Sequence, residues 1–241
     1  MMVHGITSAG LGAPDYRLAL KQHKAYVSAL RSLGLQVTML EPDSSYPDST
    51  FVEDVALCTS KMAVVTSPGA VARMGEEAGM EKVLSGYFDH LERISYPGTL
   101  EAGDVMMVGD HFYIGISERT NQNGAEQLIR ILQRYGMTGE GVRFDEMLHL
   151  KTGVSYLEDD TMLVIDELSA HPAFERFKKI IVPPEEAYAA NAVWVNNTVL
   201  LAKGYPKTLR NLECNGYRVL LLDVSEFRKL DGGLSCLSLR F

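Results

Sequence analysis

Glu53, Glu101 and His149 recur at an interval of 48 residues, and each stands at the start of a similar stretch: FVEDVALCT, LEAGDVMMVGDHFYIG and HLKTGVSYLE. Asn191 in ANAVWVNN and Cys236 in DGGLSCLSLRF open two more. Two carboxylates, an imidazole, an amide and a thiol make a set suited to covalent catalysis. A thiolate attacks carbon, and an imidazole of unperturbed pKa about 6.5 protonates a leaving group and then deprotonates water. The carboxylates orient the imidazole and select a cation. By themselves they disfavour a thiolate, and a bound cation offsets that penalty. A planar guanidinium matches carboxylate pairs through its several N–H donors and offers its central carbon as the electrophile. The plainer alternative is a polar, water-filled structural channel, with Cys236 packed as a small hydrophobe.

These residues need elements to hold them, and the sequence repeats those as well. DVMMVGDHFYIG reads as two short strands joined by Gly109-Asp110, a pair suited to a tight hairpin turn. DVALCTSKMAVVT, GVSYLEDDTMLVI and NAVWVNNTVLLA match it, with turns near Ser60, Asp159 and Asn196-Asn197. A helical pattern follows each hairpin. Met80, Val83, Leu84, Tyr87, Phe88 and Leu91 recur at helical spacing, as do Ala125, Leu128, Ile129, Leu132 and Tyr135. The third stretch, around HPAFERF, is short; the fourth starts with Pro206 and stops at Gly216. The units close with the strands LERIS, GVRFDEM, KKIIVPP and YRVLLLDV. A fifth unit is split between the ends: a helix with Tyr26, Ala29, Leu30 and Leu33 on one face, the strand LQVTML, and half a hairpin in LSCLSLRF. A ring closed by the two ends removes exposed sheet edges, which predicts a five-bladed α/β propeller as a single domain over 1–241. In such a ring the five hairpin starts converge at one mouth of the axis. A doubly wound sheet fits poorly, because it needs single parallel strands between its helices.

Composition narrows the partners. With 241 residues, 46% hydrophobic and 22% charged, the chain can bury a sizeable core. No stretch approaches the ~20 apolar residues of a membrane span, and no secretory signal pattern is present, so a cytoplasmic location is expected. Cys58, Cys214 and Cys236 lack metal-ligand spacing and suggest neither zinc nor a disulfide framework. A net charge of -8 without a basic run argues against nucleic acid and favours a small cationic ligand. Nothing in the composition opposes a homodimer.

Taken together, FVEDVALCT, LEAGDVMMVGDHFYIGISERTN, HLKTGVSYLE, ANAVWVNN and DGGLSCLSLRF resemble the dimethylarginine dimethylaminohydrolases. Those enzymes belong to the guanidino-group-modifying superfamily, beside arginine deiminases and amidinotransferases. The likeness covers nearly the whole chain and keeps its motifs in order. It implies a five-bladed propeller and cofactor-free hydrolysis of Nω-methylated arginines to citrulline and methylamines. By resemblance, Cys236 is the nucleophile and forms a thiouronium intermediate, His149 is the general acid/base, and Glu101 orients His149 and contacts the guanidinium. Glu53 and Asp54 hold the guanidinium, with Phe51 beside the substrate. Asp48 receives the α-amino group, Arg73 and Arg119 clamp the α-carboxylate, and backbone at Ile6 and Leu230 completes the head-group contacts. The Gly-rich loop HGITSAGLG, which holds Ile6, is the expected lid. Simpler roles exist for several of these: Arg119 as a solvated charge before a Thr120 helix cap, Arg73 on the surface, Asp48 in a turn after Pro47, and Asp231 shaping the turn before Cys236. Family members usually begin with a further strand before the HGITSAGLG loop, so either the partner of LSCLSLRF lies upstream of the sequence or the ring closes differently. Arginine deimination, citrulline hydrolysis and amidino transfer are the enzymatic alternatives, and a binding protein on the same ring is the non-enzymatic one.

Overall fold

The computed structural model describes residues 2–145 and 147–241. The chain is α/β, built on four three-stranded sheets of one topology. In chain order, helix α1 (Tyr16–Ser32) precedes strands β1 (Ala56–Cys58), β2 (Ala63–Val65) and β3 (Leu91–Arg93), with α2 (Glu77–Leu84) before β3. Next come β4 (Val105–Val108), β5 (His111–Ile116), α3 (Gln122–Arg134) and β6 (Thr138–Arg143). After the short α4 (Leu150–Gly153) follow β7 (Val154–Tyr156), β8 (Thr161–Ile165), α5 (Asp166–Ser169) and β9 (Lys178–Val182). The last set is β10 (Val193–Val195), β11 (Thr198–Ala202), α6 (Pro206–Cys214), β12 (Arg218–Leu222) and α7 (Ser225–Arg228). In each sheet the first two strands pair antiparallel, and the third joins the second in parallel. The repeat read from the sequence is therefore the repeat of the fold.

Local chemistry explains the turns. Gly109 at φ +58 and Asn196-Asn197 at +43 and +63 take the left-handed conformation that tight hairpins require, and Asp159 does so at +49. The middle strands β2, β8 and β11 are buried throughout, as strands covered on both faces should be.

The chain divides into two compact units: 1–50 with 154–235, and 51–153 with 236–241. Each holds two of the sheets. The second unit has a core of Leu57, Val64, Leu100, Phe112, Leu128 and Leu132 among others, and a smaller cluster around Val55, Ala63, Met80 and Leu84.

Several expectations need correction. Neither LQVTML nor LSCLSLRF forms a strand; among the described residues no ladder includes them. Alternating side chains favour a strand, but a strand exists only with a hydrogen-bonded neighbour. Four of the five expected repeats thus carry a ladder. The last residues are held by packing instead, with Leu239 against the Val55–Met80 cluster and the Phe241 ring 4.8 Å from that of Phe88. The GVRFDEM strand begins earlier, at Thr138, because its parallel partner His111–Ile116 sets its extent; Glu146 lies outside the described residues. Around HPAFERF there is only a 3₁₀ turn, Pro172–Phe174. The cap of α3 is Asn121, whose side chain accepts from Gly124 N, and not Thr120.

Candidate active site

Glu53 sits on the 3₁₀ turn Val52–Val55, and Glu101 immediately precedes the 3₁₀ turn Ala102–Asp104; each turn leads directly into a strand. The contacts named for them below lie within the unit of 51–153 and 236–241. His149, just before α4, is 8% exposed, and its Nε2 lies 2.9 Å from Glu101 Oε2. Glu101 Oε1 accepts from Ala70 N at 3.0 Å, and Glu101 N donates to the Thr120 hydroxyl. Thr120 thus serves Glu101 and not the helix.

Asp54 is a second carboxylate close to the imidazole, with ligand atoms of Asp54, Glu101 and His149 within 4.8 Å of one another. Its Oδ1 accepts from Gly103 N at 3.1 Å and its Oδ2 from Arg73 Nη1 at 2.6 Å. A Cβ on Gly103 would lie 2.7 Å from Asp54 Oδ1 and 2.7 Å from His149 Nδ1, so glycine is what lets the two approach. Asp104, fully buried, accepts from Leu150 N at 2.9 Å and from the Ser117 hydroxyl at 2.7 Å. It thereby fixes the backbone next to His149.

The electrostatics follow. Burial opposes a charge on His149, but Asp54, the Glu101 hydrogen bond and Asp104 outweigh it and raise its pKa to about 9. His149 carries its proton at neutral pH. Burial likewise opposes the Asp54 charge, and His149 and Arg73 overcome it, holding that carboxyl below its usual range. For Asp104 burial wins, and its carboxyl is pushed up.

Glu53 is buried and paired with Lys151 Nζ at 2.6 Å, with Arg240 Nη2 at 3.6 Å. Cys236 lies in the turn Ser235–Leu237 and is partly exposed, unlike Cys58, whose thiol is pushed up to about 12 by burial. Arg119 has its Nη1 4.0 Å from Glu101 Oε1. Arg73 is no surface residue: it is 5% exposed, and it donates to Asp54, to Phe51 O and twice to Glu76. Phe51 is buried beside it. Asp54, Glu101 and His149 present ligand atoms within 4.8 Å of one another, a spacing that a metal ion could also use. Here Asp54 is matched by Arg73, and Glu101 by His149.

Ile6, Asp48 and Leu230, expected from the resemblance to meet the substrate head group, belong to the other unit. Both Asp48 oxygens accept from Ile6 N at 3.1 Å. Asp231, at φ +57, accepts from Ser8 N at 2.5 Å and from its hydroxyl at 3.0 Å, while the Thr7 hydroxyl donates to Lys229 O. Leu230 is buried and donates to Phe227 O. In the same unit Asn191 brackets Ser235, accepting from its N at 3.0 Å and donating to its hydroxyl at 2.9 Å.

The arginine deiminase family model matches residues 81–181. The N(G),N(G)-dimethylarginine dimethylaminohydrolase of Pseudomonas aeruginosa is 51% identical over 241 residues, covering 100% of this chain and 95% of that protein. The chain belongs to the dimethylarginine dimethylaminohydrolase family. A second member, from Streptomyces coelicolor, is 36% identical over 94% of this chain and 87% of its own length. The solved Pseudomonas aeruginosa enzyme, a Cys-to-Ser variant complexed with citrulline, superposes with a TM-score of 0.98, covering 100% of this chain and 94% of that one.

Sequence reading missed three features of this family member's cluster. Asp104 could have been found, since Asp54 and Asp104 both precede a valine that opens a hairpin, in DVALC and DVMMV. Nothing in the sequence pairs Lys151 or Arg240 with Glu53, or Glu76 with Arg73.

Proposed function

We propose that the chain hydrolyses Nω-methylated arginines to citrulline and methylamines, as a cytoplasmic, cofactor-free enzyme acting as one catalytic domain. Cys236 Sγ, as thiolate, forms a bond to the central guanidinium carbon. The C–N bond to the methylamine breaks, and His149 donates its proton to the departing nitrogen. Water, deprotonated by the now neutral His149, attacks the thiouronium carbon; the C–S bond breaks, leaving citrulline and the thiol group. Nothing is oxidised or reduced. Glu53 and Asp54 hold the guanidinium beside Phe51, Glu101 orients His149, and Arg119 receives the α-carboxylate. Asp48, with backbone of Ile6 and Leu230, receives the α-amino group.

The observation that carries this reading is the buried group of His149, Glu101 and Asp54 in the compact unit that also holds Cys236. A protonated imidazole beside two carboxylates is suited to protonating an amine leaving group. A citrulline assay with arginine, monomethylarginine and asymmetric dimethylarginine, on the wild-type chain and on Cys236→Ser, tests it. Citrulline from the methylated substrates, lost in the variant, is expected. Citrulline and ammonia from arginine alone would favour deimination, the reading to which the family match over 81–181 lends support.

A further inference from the structure

Asn191 opens the fourth hairpin, the position that Glu101 and His149 hold in theirs, yet the reaction above gives it no part. It is buried and follows the 3₁₀ turn Pro184–Ala190. Its Oδ1 accepts from Ser235 N at 3.0 Å, and its Nδ2 donates to the Ser235 hydroxyl at 2.9 Å. A backbone N–H can only donate, so Oδ1 faces it and Nδ2 is left for the hydroxyl. A carboxylate has no proton for the second bond, and an aliphatic side chain could make neither. The backbone on both sides of Asn191 is held in turn. Ser155, the middle residue of β7, donates through its hydroxyl to Ala190 O at 2.5 Å and accepts from Ala192 N at 2.9 Å. The Tyr188 hydroxyl donates to Gly232 O at 2.7 Å. Gly233 completes the fit, since a Cβ there would lie 2.4 Å from Asn191 Oδ1 and 2.5 Å from its Cγ. Gly233 is outside the left-handed region, so space and not backbone conformation calls for glycine. All of these residues lie within the unit of 1–50 and 154–235. Ser235 is the last residue of that unit and the first of the 3₁₀ turn that carries Cys236.

We propose that Asn191 is a positioning residue for the nucleophile: it fixes Ser235, and so the start of the turn bearing Cys236, in the room that Gly233 leaves. This role rests on the function proposed above, in which Cys236 attacks the guanidinium carbon. Two hydrogen bonds to one residue, at its N–H and at its hydroxyl, restrain its rotation as well as its position. A sulfur displaced by a fraction of an ångström loses its line to the reacting carbon, and the cost falls on the chemical step. Binding should be spared, because the groups proposed to hold substrate are other residues. The His149 proton should be spared too, since Asp54, Glu101 and Asp104, which favour it against burial, are not part of this network.

The test is Asn191→Ala in the full chain, with folding checked by circular dichroism and a urea midpoint. Turnover of monomethylarginine is followed across pH, alongside inactivation by 2-chloroacetamidine, an amidinium that carries no amino-acid head group and loses chloride to a thiolate. A fall in kcat of ~30-fold is expected, with KM changed by less than ~3-fold. Inactivation should slow in step with kcat, and the alkaline limb of kcat/KM should stay in place. Gly233→Ala should lower kcat alike. Added to Asn191→Ala it should cost less than ~2-fold more, because the space its Cβ needs is then free. A lower urea midpoint with kcat per folded molecule unchanged would make Asn191 purely structural and overturn the proposal. So would a rise in KM alone, or losses that simply multiply in the double variant. If Asn191→Ala does not fold, Ser235→Ala removes the hydroxyl contact and keeps the amide one: a kcat loss of about 3-fold at unchanged KM is expected, and full activity would refute the hold. A wild-type chain that makes no citrulline from any guanidino substrate would defeat the proposed function, and this role with it.

Discussion

The His149 cluster and the Asp48 loop bind polar groups in opposite ways. Around His149 the partners are buried or half-buried groups, and each carboxylate has at least two named contacts. Asp48, itself buried, accepts from the amide of Ile6, and beside it the Thr7 hydroxyl meets Lys229 O and Ser8 meets Asp231; Ile6, Thr7 and Ser8 are all open to solvent. The first arrangement holds charges in low dielectric, where a small displacement changes a proton affinity. Under the proposed function, chemistry falls to the buried cluster and recognition of the amino-acid head group to the exposed loop.

If that division is right, damage to the cluster should appear in kcat and damage to the loop in KM. The largest effect is expected from Cys236→Ser or His149→Gln, each lowering kcat by ~10⁴-fold or more with folding intact, measured by citrulline release. Gly103→Ala comes next, because its Cβ would meet both Asp54 and His149; a kcat loss of ~100-fold is expected. A similar loss expressed only in KM would break the comparison.

Titration sharpens it. In the free protein kcat/KM should hold to about pH 9 and then decline about 10-fold per unit as His149 loses its proton. Stability should follow the same group. A histidine whose folded pKa lies above its unfolded value of 6.5 stabilises the fold fully below 6.5 and loses that contribution as pH rises through about 9. Urea midpoints from pH 6 to 10 should therefore fall in the wild type and change less in His149→Gln.

Smaller effects belong to the loop. A Cβ on Gly5 would stand 2.5 Å from Asp48 Oδ1, so Gly5→Ala should raise KM for monomethylarginine by ~10-fold while leaving 2-chloroacetamidine inactivation unchanged. Ser8→Ala removes one exposed hydroxyl contact to Asp231 but keeps the amide one; a change within ~2-fold in KM is expected.

Much of the fold was legible in the sequence because the signals were local. Gly109 and Asn196-Asn197 mark turns through their backbone freedom, and the apolar spacing marks the inner face of α3; in α2 it holds only for Met80, Val83 and Leu84, since Tyr87 and Phe88 follow the helix and Leu91 begins β3. Reading LQVTML and LSCLSLRF as strands failed for the complementary reason: a ladder depends on a distant partner that no window of sequence contains.

The same boundary runs through the site. The interval of 48 residues singled out Glu53, Glu101 and His149 as candidates for chemistry, and residue type with its place at the start of the last repeat singled out Cys236, since repeats place equivalent positions alike. Which charge answers which was decided only by tertiary structure. Arg73 turns inward to Glu76 and Asp54, Lys151 reaches Glu53, and Asp104 grips Leu150, because burial leaves each charge the choice of a partner or a large desolvation penalty. Sequence determines which groups are available, and the low dielectric of the packed interior determines how they pair.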